Sequence, residues 1–328
     1  DKEWASVDIN NADDPTPEDC SSEGAYVCGD INVTFIPHHF GFSDGNVSNY
    51  ITTDNFTYIS NLDDTNQSTF NMAAKVKVKI IAQNESNGTT TNFRDGTAYY
   101  ENPVSVNFTA TDPLQGDANT TKIDKLLLGF GTDGDDNGTK TITFEEDNLS
   151  KVLRFNFPRE VNIAINPFDV NASDINISAY SYYTQTSVTG YDSDANITGS
   201  KDGLEDGNAT FIYGRTHASR QRYEGPTGTA NIYFEAYCFG TDSVGRPCDK
   251  NLLPNGLDSN NTDDLRWFIN ANHIADQNTT NPNHGVVYIV EEKNANHVDA
   301  TDNPEGNPSV TELTYDESKG YPYKTTMQ

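Results

Sequence analysis

Hydrophobic residues recur at every second position along much of the chain. Val76, Val78 and Ile80 alternate with Lys75, Lys77 and Lys79. Val104, Val106 and Phe108 repeat the pattern, as do Leu153, Phe155 and Phe157, then Val161, Ile163 and Ile165. The longest run is Ala230, Ile232, Phe234, Ala236 and Cys238, and Val286, Tyr288 and Val290 give another. A period of two sends successive side chains to opposite faces of an extended backbone, so each run predicts a strand with one buried face. Only Thr121–Leu128 has a helical look.

Between the runs lie segments rich in Asn, Asp, Gly and Thr, such as 131–138 and 193–208, which read as loops. Short strands at this spacing predict an all-β fold of two or more immunoglobulin-like β-sandwich domains with long polar loops. The expected organisation is a polar lead-in over 1–29, a β-sandwich over 30–158 and a second β-rich domain over 159–328, divided near Pro158. The chain stops at Thr326-Met327-Gln328 straight after a strand-like run, which predicts that a parent chain continues. Asp1 opens the sequence with no signal peptide, so it reads as a mature or excised segment.

Sixteen N-x-S/T sequons punctuate this pattern. At thirteen of them the residue two positions upstream is acidic: Asn32, Asn46, Asn66, Asn87, Asn119, Asn137, Asn148, Asn171, Asn176, Asn196, Asn208, Asn260 and Asn278. Asn55, Asn84 and Asn107 lack the acid. With 49 Asp and Glu in 328 residues, composition alone would place an acid there at roughly 2 of the 16. Loops are rich in Asp and Asn together, but loop composition does not select one offset. The D/E-x-N-x-S/T pattern resembles the extended sequon of the bacterial oligosaccharyltransferases of Campylobacter and its relatives. That resemblance implies a cationic group on the enzyme that pairs with the acid, a charge-assisted contact. It also implies N-glycans on exposed loops or strand ends, and export through the periplasm to the cell surface or beyond.

Charge and composition narrow the partners. The formal net charge is −28, which opposes nucleic acid and anionic lipid alike. No stretch approaches the roughly 18 apolar residues of a membrane-spanning helix, so membrane insertion is not expected. Hydrophobic residues are only 34% of the chain, yet aromatics hold at 11%, more than a disordered acidic chain carries. Four cysteines allow three pairings. Proximity favours Cys20 with Cys28 and Cys238 with Cys248, and neither spacing is the C-x2-C of a zinc site.

Candidate chemistry is sparse. His38-His39 invites a metal or general-base reading, but no third ligand stands at a matching spacing, so a structural pair at a strand edge is expected. Asp133, Asp135 and Asn137 look like the start of an EF-hand loop, but the twelfth position is Phe144, and a hairpin turn at Asn137-Gly138 is the plainer reading. A Ca²⁺ site of another kind stays open there, with Asp192, Asp194 and Asn196 as a second cluster. Arg215, Arg220 and Arg222 form a basic cluster able to clamp a carboxylate or to offset local acids. No G-x-S-x-G elbow, phosphate loop or haem site is present, and acids are too abundant for a hydrolytic pair to be singled out. The expected role is non-enzymatic: a structural or adhesive surface protein. The alternative is a Ca²⁺-dependent, lectin-like ligand-binding module. Partners would be the covalent glycans and other surface subunits or copies of the chain. Docking is expected in the sequon-free stretches 209–259 and 279–328, because a bulky hydrated glycan opposes burial.

A further resemblance runs loosely over 30–325. It is carried by Phe35-Ile36-Pro37-His38-His39-Phe40, Phe56-Thr57-Tyr58-Ile59 and Ile81 to Phe93, then by Tyr213-Gly214-Arg215, Arg266-Trp267-Phe268-Ile269-Asn270 and Gly320-Tyr321-Pro322-Tyr323-Lys324. In this order the stretches are similar to the domain of MshQ-like proteins, which accompany mannose-sensitive-haemagglutinin-type pili. The resemblance implies a β-rich, surface or pilus-associated protein and brings no catalytic residues.

Overall fold

A computed structural model of the protein describes residues 36–49, 55–61, 73–91, 93, 104–110, 126–128, 138–144, 153–157, 163–183, 195–219, 222–254, 264–273, 289–290, 298–300, 309–315 and 326–327. It is all-β. In chain order the strands are β1 (His39–Asn49), β2 (Thr57–Tyr58), β3 (Ser60–Asn61), β4 (Ala74–Gln83), β5 (Val104–Ala110), β6 (Leu126–Leu128) and β7 (Thr139–Phe144). Next come β8 (Asn156–Phe157), β9 (Phe168–Asn171), β10 (Ile175–Tyr183), β11 (Ala195–Asp202), β12 (Asp206–Ile212), β13 (Gly214–Ala218) and β14 (Thr227–Tyr237). The last are β15 (Trp267–Ile269), β16 (Ile289–Val290), β17 (Val298–Ala300), β18 (Ser309–Tyr315) and β19 (Thr326–Met327). Two single 3-10 turns, Ala172–Asp174 and Lys250–Leu252, are the helical elements among the described residues.

Ten strands form the first sheet around β1. β4 pairs antiparallel along one side of β1, and β7 continues beyond β4. The other side of β1 is shared. His39 pairs in parallel with Thr198 of β11, while Asn46, Val47 and Ser48 pair in parallel with Asp206, Gly207 and Asn208 of β12. From there the sheet runs through β11, β10, β5 and β6 in one direction, and through β12 to β9 and β2 in the other. Two glycines permit these close approaches. A Cβ on Gly199 would collide with the Phe40 carbonyl oxygen, and Gly207, at φ +90°, passes against the Val47 carbonyl oxygen.

The alternating runs fold as the period dictates. In β4, Val76, Val78, Ile80 and Ala82 are fully buried and the intervening lysines face outward. Val104, Val106 and Phe108 of β5 meet Ile175, Ile177 and Ala179 of β10 in the same core. Phe155, Phe168 and Phe211 build its aromatic centre. The Phe211 ring lies perpendicular to Phe155 at 4.8 Å and stacks on Phe168 at 5.5 Å.

Three expectations need correction. The segment 193–208, read as a loop, holds β11 and the start of β12. Its polar look arises because over 196–202 only Ile197 is buried and Gly199 stands where a larger inward residue would collide. Leu126–Leu128, at the end of the helical-looking stretch, is strand β6, paired with β5. The alternation at 161–165 forms no strand over 163–167. There the Asn166 backbone N–H donates to Asp242 Oδ2 at 2.9 Å rather than to a ladder, and Pro167 has no N–H to give. Strands from both sides of Pro158 share the first sheet, since β5 pairs with β10 and β1 with β11 and β12. The chain changes sheet at Tyr213. The lead-in at 1–29 lies outside the described residues.

The second sheet is ordered β13, β14, β18, β17, with β15 also on β14. Cys238, just beyond β14, is bonded to Cys248 with 5.1 Å between Cα atoms. In the chain-entropy picture a loop this short contributes about 3 kcal/mol. A shared core of Phe56, Tyr58, Ile212, Ala236, Cys238, Leu253 and Phe268 joins the two sheets.

Candidate glycan acceptors and docking face

The described acid-preceded acceptors are Asn46, Asn87, Asn171, Asn176, Asn196 and Asn208. All except Asn46 are exposed. Asn87 sits at φ +63° in a turn whose backbone is tied by Asn84, the Oδ1 of which accepts from the N–H groups of Ser86 and Gly88. Asn171 ends β9, while Asn176, Asn196 and Asn208 stand at the second or third position of β10, β11 and β12. Their upstream acids therefore lie at the strand entrance: Asp174 and Asp194 before the strand and Asp206 at its first residue. The residue after each of these asparagines points the other way, and Ile177, Ile197 and Ala209 are buried. Thus at Asn176 and Asn196 the strand puts amide and hydroxyl on the solvent face and the middle residue in the core, whereas Thr210 of the Asn208 sequon is buried, its hydroxyl donating to Asp169 Oδ1 at 2.6 Å. Asn46 differs. It is half-buried within β1 at a register irregularity, with β4 on one side and β12 on the other. Asn32, Asn66, Asn119, Asn137, Asn148, Asn260 and Asn278 lie outside the described residues.

Two of the acceptors are held through the amide oxygen, which leaves the nitrogen that would carry a sugar uncommitted. Asn176 Oδ1 accepts from the Gly203 N–H at 3.2 Å, and Asn196 Oδ1 accepts from the Tyr180 hydroxyl at 3.0 Å.

The disulfide loop after β14 is fixed from several sides. Asn166, fully buried, accepts from the Phe239 N–H at 2.9 Å and donates Nδ2 to the Arg246 carbonyl at 2.8 Å. Asp242 Oδ1 accepts from the N–H groups of Val244 and Arg246, closing the turn inside the loop. The Arg246 guanidinium lies over the Phe168 ring at 4.4 Å. This rigid loop carries Phe239 into solvent. The Cys238 N–H donates to the Arg266 carbonyl just beyond the last pair of the β14–β15 ladder, and Leu265 lies in the turn that the Trp267 N–H closes onto the Asp264 carbonyl. Phe239 is 52% exposed and Leu265 71%, the largest exposures among the described large hydrophobic residues. Arg266 beside them forks Asp264 through two bonds of 2.8 and 2.7 Å. Those bonds hold the Asp264 carboxyl down at about 2, so the pair stays ionised until the pH falls through that value.

Of the expected arginine cluster, Arg215 has its partners within the second sheet. Arg215 turns onto its own sheet, where Nε donates to Glu235 Oε2 at 2.7 Å and the guanidinium covers Trp267 at 4.1 Å. Glu235 is fully buried, with His217 Nδ1 3.6 Å from its other oxygen. Arg222 is exposed, and Arg220 lies outside the described residues. His38 and His39 face each other with Nδ1 atoms 3.1 Å apart at the entrance to β1. Among the described residues no group of three or more His, Cys, Asp or Glu is placed to hold a metal ion. Asp133, Asp135, Asn137, Asp192 and Asp194, and with them Cys20 and Cys28, lie outside the described residues. Phe239 and Leu265 escaped the sequence reading because a lone apolar residue in a polar segment carries no signal of its exposure.

The model of a protein family described as DUF6701, third domain, matches residues 34–228, more than half of the chain. No curated protein and no solved structure matches it.

Proposed function

The chain belongs to the DUF6701 family, and for this member we propose a non-enzymatic role as a heavily N-glycosylated structural or adhesive protein outside the cell, pilus-associated or filament-forming. The observation that carries the reading is the acid at one fixed offset before 13 of 16 sequons. It is supported by the solvent-facing placement of five of the six described acceptors. The disulfide at Cys238–Cys248 suits an oxidising compartment, and the MshQ-like stretches suit a pilus setting. Peptide mapping of natively purified protein is expected to find glycan on Asn87, Asn171, Asn176, Asn196 and Asn208. Unmodified asparagines throughout would remove the basis for export as well as for glycosylation.

Assembly fits the same reading. Phe239, on the disulfide-fixed loop of the sequon-free stretch 209–259, and Leu265, in the turn before β15, are the two most exposed large apolar side chains among the described residues. A second copy of this chain that covers both side chains would be the partner. Replacing both residues by Ser should weaken self-association about tenfold or more in sedimentation while leaving the thermal midpoint in place. Unchanged association would assign the two residues no docking role.

A further inference from the structure

Tyr180 is a large aromatic residue left 41% exposed on the open face of the first sheet. Its position is specified by the ladder between β10 and β11. Tyr180 pairs directly with Thr198, and Tyr182 with Asn196. Asn196 and Thr198 are the amide and hydroxyl positions of one sequon, so the Tyr180 ring stands beside both. Its hydroxyl donates to Asn196 Oδ1 at 3.0 Å. That bond uses the oxygen of the side-chain amide. N-glycosylation forms its bond from Nδ2 to the first sugar carbon, so the Tyr180 contact survives modification and fixes the direction in which the sugar leaves the sheet.

We propose that Tyr180 and Thr198 form a seat for the first pyranose ring attached to Asn196, and that the seated sugar stabilises the β10–β11 face. A pyranose has one face of axial C–H groups, and an aromatic ring offers a negative face to such partly positive hydrogens. The occupant is already covalently tethered, so little translational entropy remains to oppose the contact. Covering a solvent-exposed tyrosine on a sheet face also removes apolar area from water. The Gly203 N–H holds Asn176 through its oxygen in the same way, but its ladder partners are Asp202 and Thr109, so Asn196 is the acceptor singled out.

The inference rests on the reading of Asn196 as a glycan acceptor, and the experiment separates the two. Natively glycosylated protein, Asn196→Gln, Tyr180→Ala and the double variant are compared by site occupancy and by thermal midpoint. The expected result is full or partial occupancy of Asn196, and a loss of midpoint on Tyr180→Ala that is about 2 °C or more larger in the Asn196-glycosylated protein than in the Asn196→Gln background. Tyr180→Phe, which keeps the ring and loses only the hydroxyl, should retain most of the glycan-dependent part. Occupancy with equal losses in the two backgrounds overturns the seat and leaves the functional reading standing. No sugar at Asn196 overturns both at this position.

Discussion

Phe211→Ala should destabilise the protein by about 3–5 kcal/mol. Phe211 is fully buried in β12 and touches two aromatic rings from separate parts of the chain, Phe155 at 4.8 Å and Phe168 at 5.5 Å. Neither neighbour can move into the gap readily. Phe168 is fixed by backbone pairing with Phe211 itself, and Phe155 is tied through its carbonyl to the Ser60 N–H at 2.8 Å. The cavity therefore stays open and its lining loses contacts on one side. Urea unfolding should show a lower midpoint at an unchanged slope. A loss below about 1 kcal/mol would mean that β12 does not pack against these rings.

The second large effect is expected at the buried ion pair of the second sheet. Arg215→Ala leaves Glu235 fully buried, with only His217 at 3.6 Å to face its charge. Breaking a buried pair from one side costs about 3–5 kcal/mol. Because Arg215 is itself 30% exposed, the lower end of that range is the expectation. The variant also removes the guanidinium from Trp267. Changing both partners to apolar residues, Arg215→Met with Glu235→Leu, should recover most of the loss, since no charge is then stranded. The comparison is made by denaturant unfolding of the two variants. A double variant as unstable as the single one would show that packing around Trp267, and not the stranded carboxylate, sets the cost.

What the sequence made legible follows from how much of each strand is buried. β4, β5 and β14 alternate cleanly because each sends a row of apolar side chains into a core. β11 was invisible because one buried isoleucine is not a pattern, and its identity depends on a glycine that lets β1 approach. The run at 161–165 failed for the opposite reason: its alternation is real, but the backbone of Asn166 is committed to the disulfide loop 76 residues away. The acceptor motif was fully legible as spacing. Its placement was expected at exposed loops or strand ends, and the spacing did not tell which of the two each site takes, because in a short sequon the solvent face of a strand and a polar loop look alike. Arg215 read as part of a basic cluster, and only the pairing of β13 with β14 shows it spent on Glu235.

The parallel pairing of β1 with β12 sets a clock. Asn46 meets Asp206, 160 residues further along the chain. A contact this distant in sequence closes late, both because the loop entropy must be overcome and because the later strand must first emerge. Until then one flank of β1 has no neighbour at Asn46, and under the proposed function this asparagine, half-buried in the finished sheet, would be open to a transferase during that time. At the usual pace of synthesis, on the order of ten residues per second, that interval lasts many seconds. Sugar at Asn46 would then be a record of the order of events, written before the sheet shut, whereas sugar at Asn87 could be added at any later time.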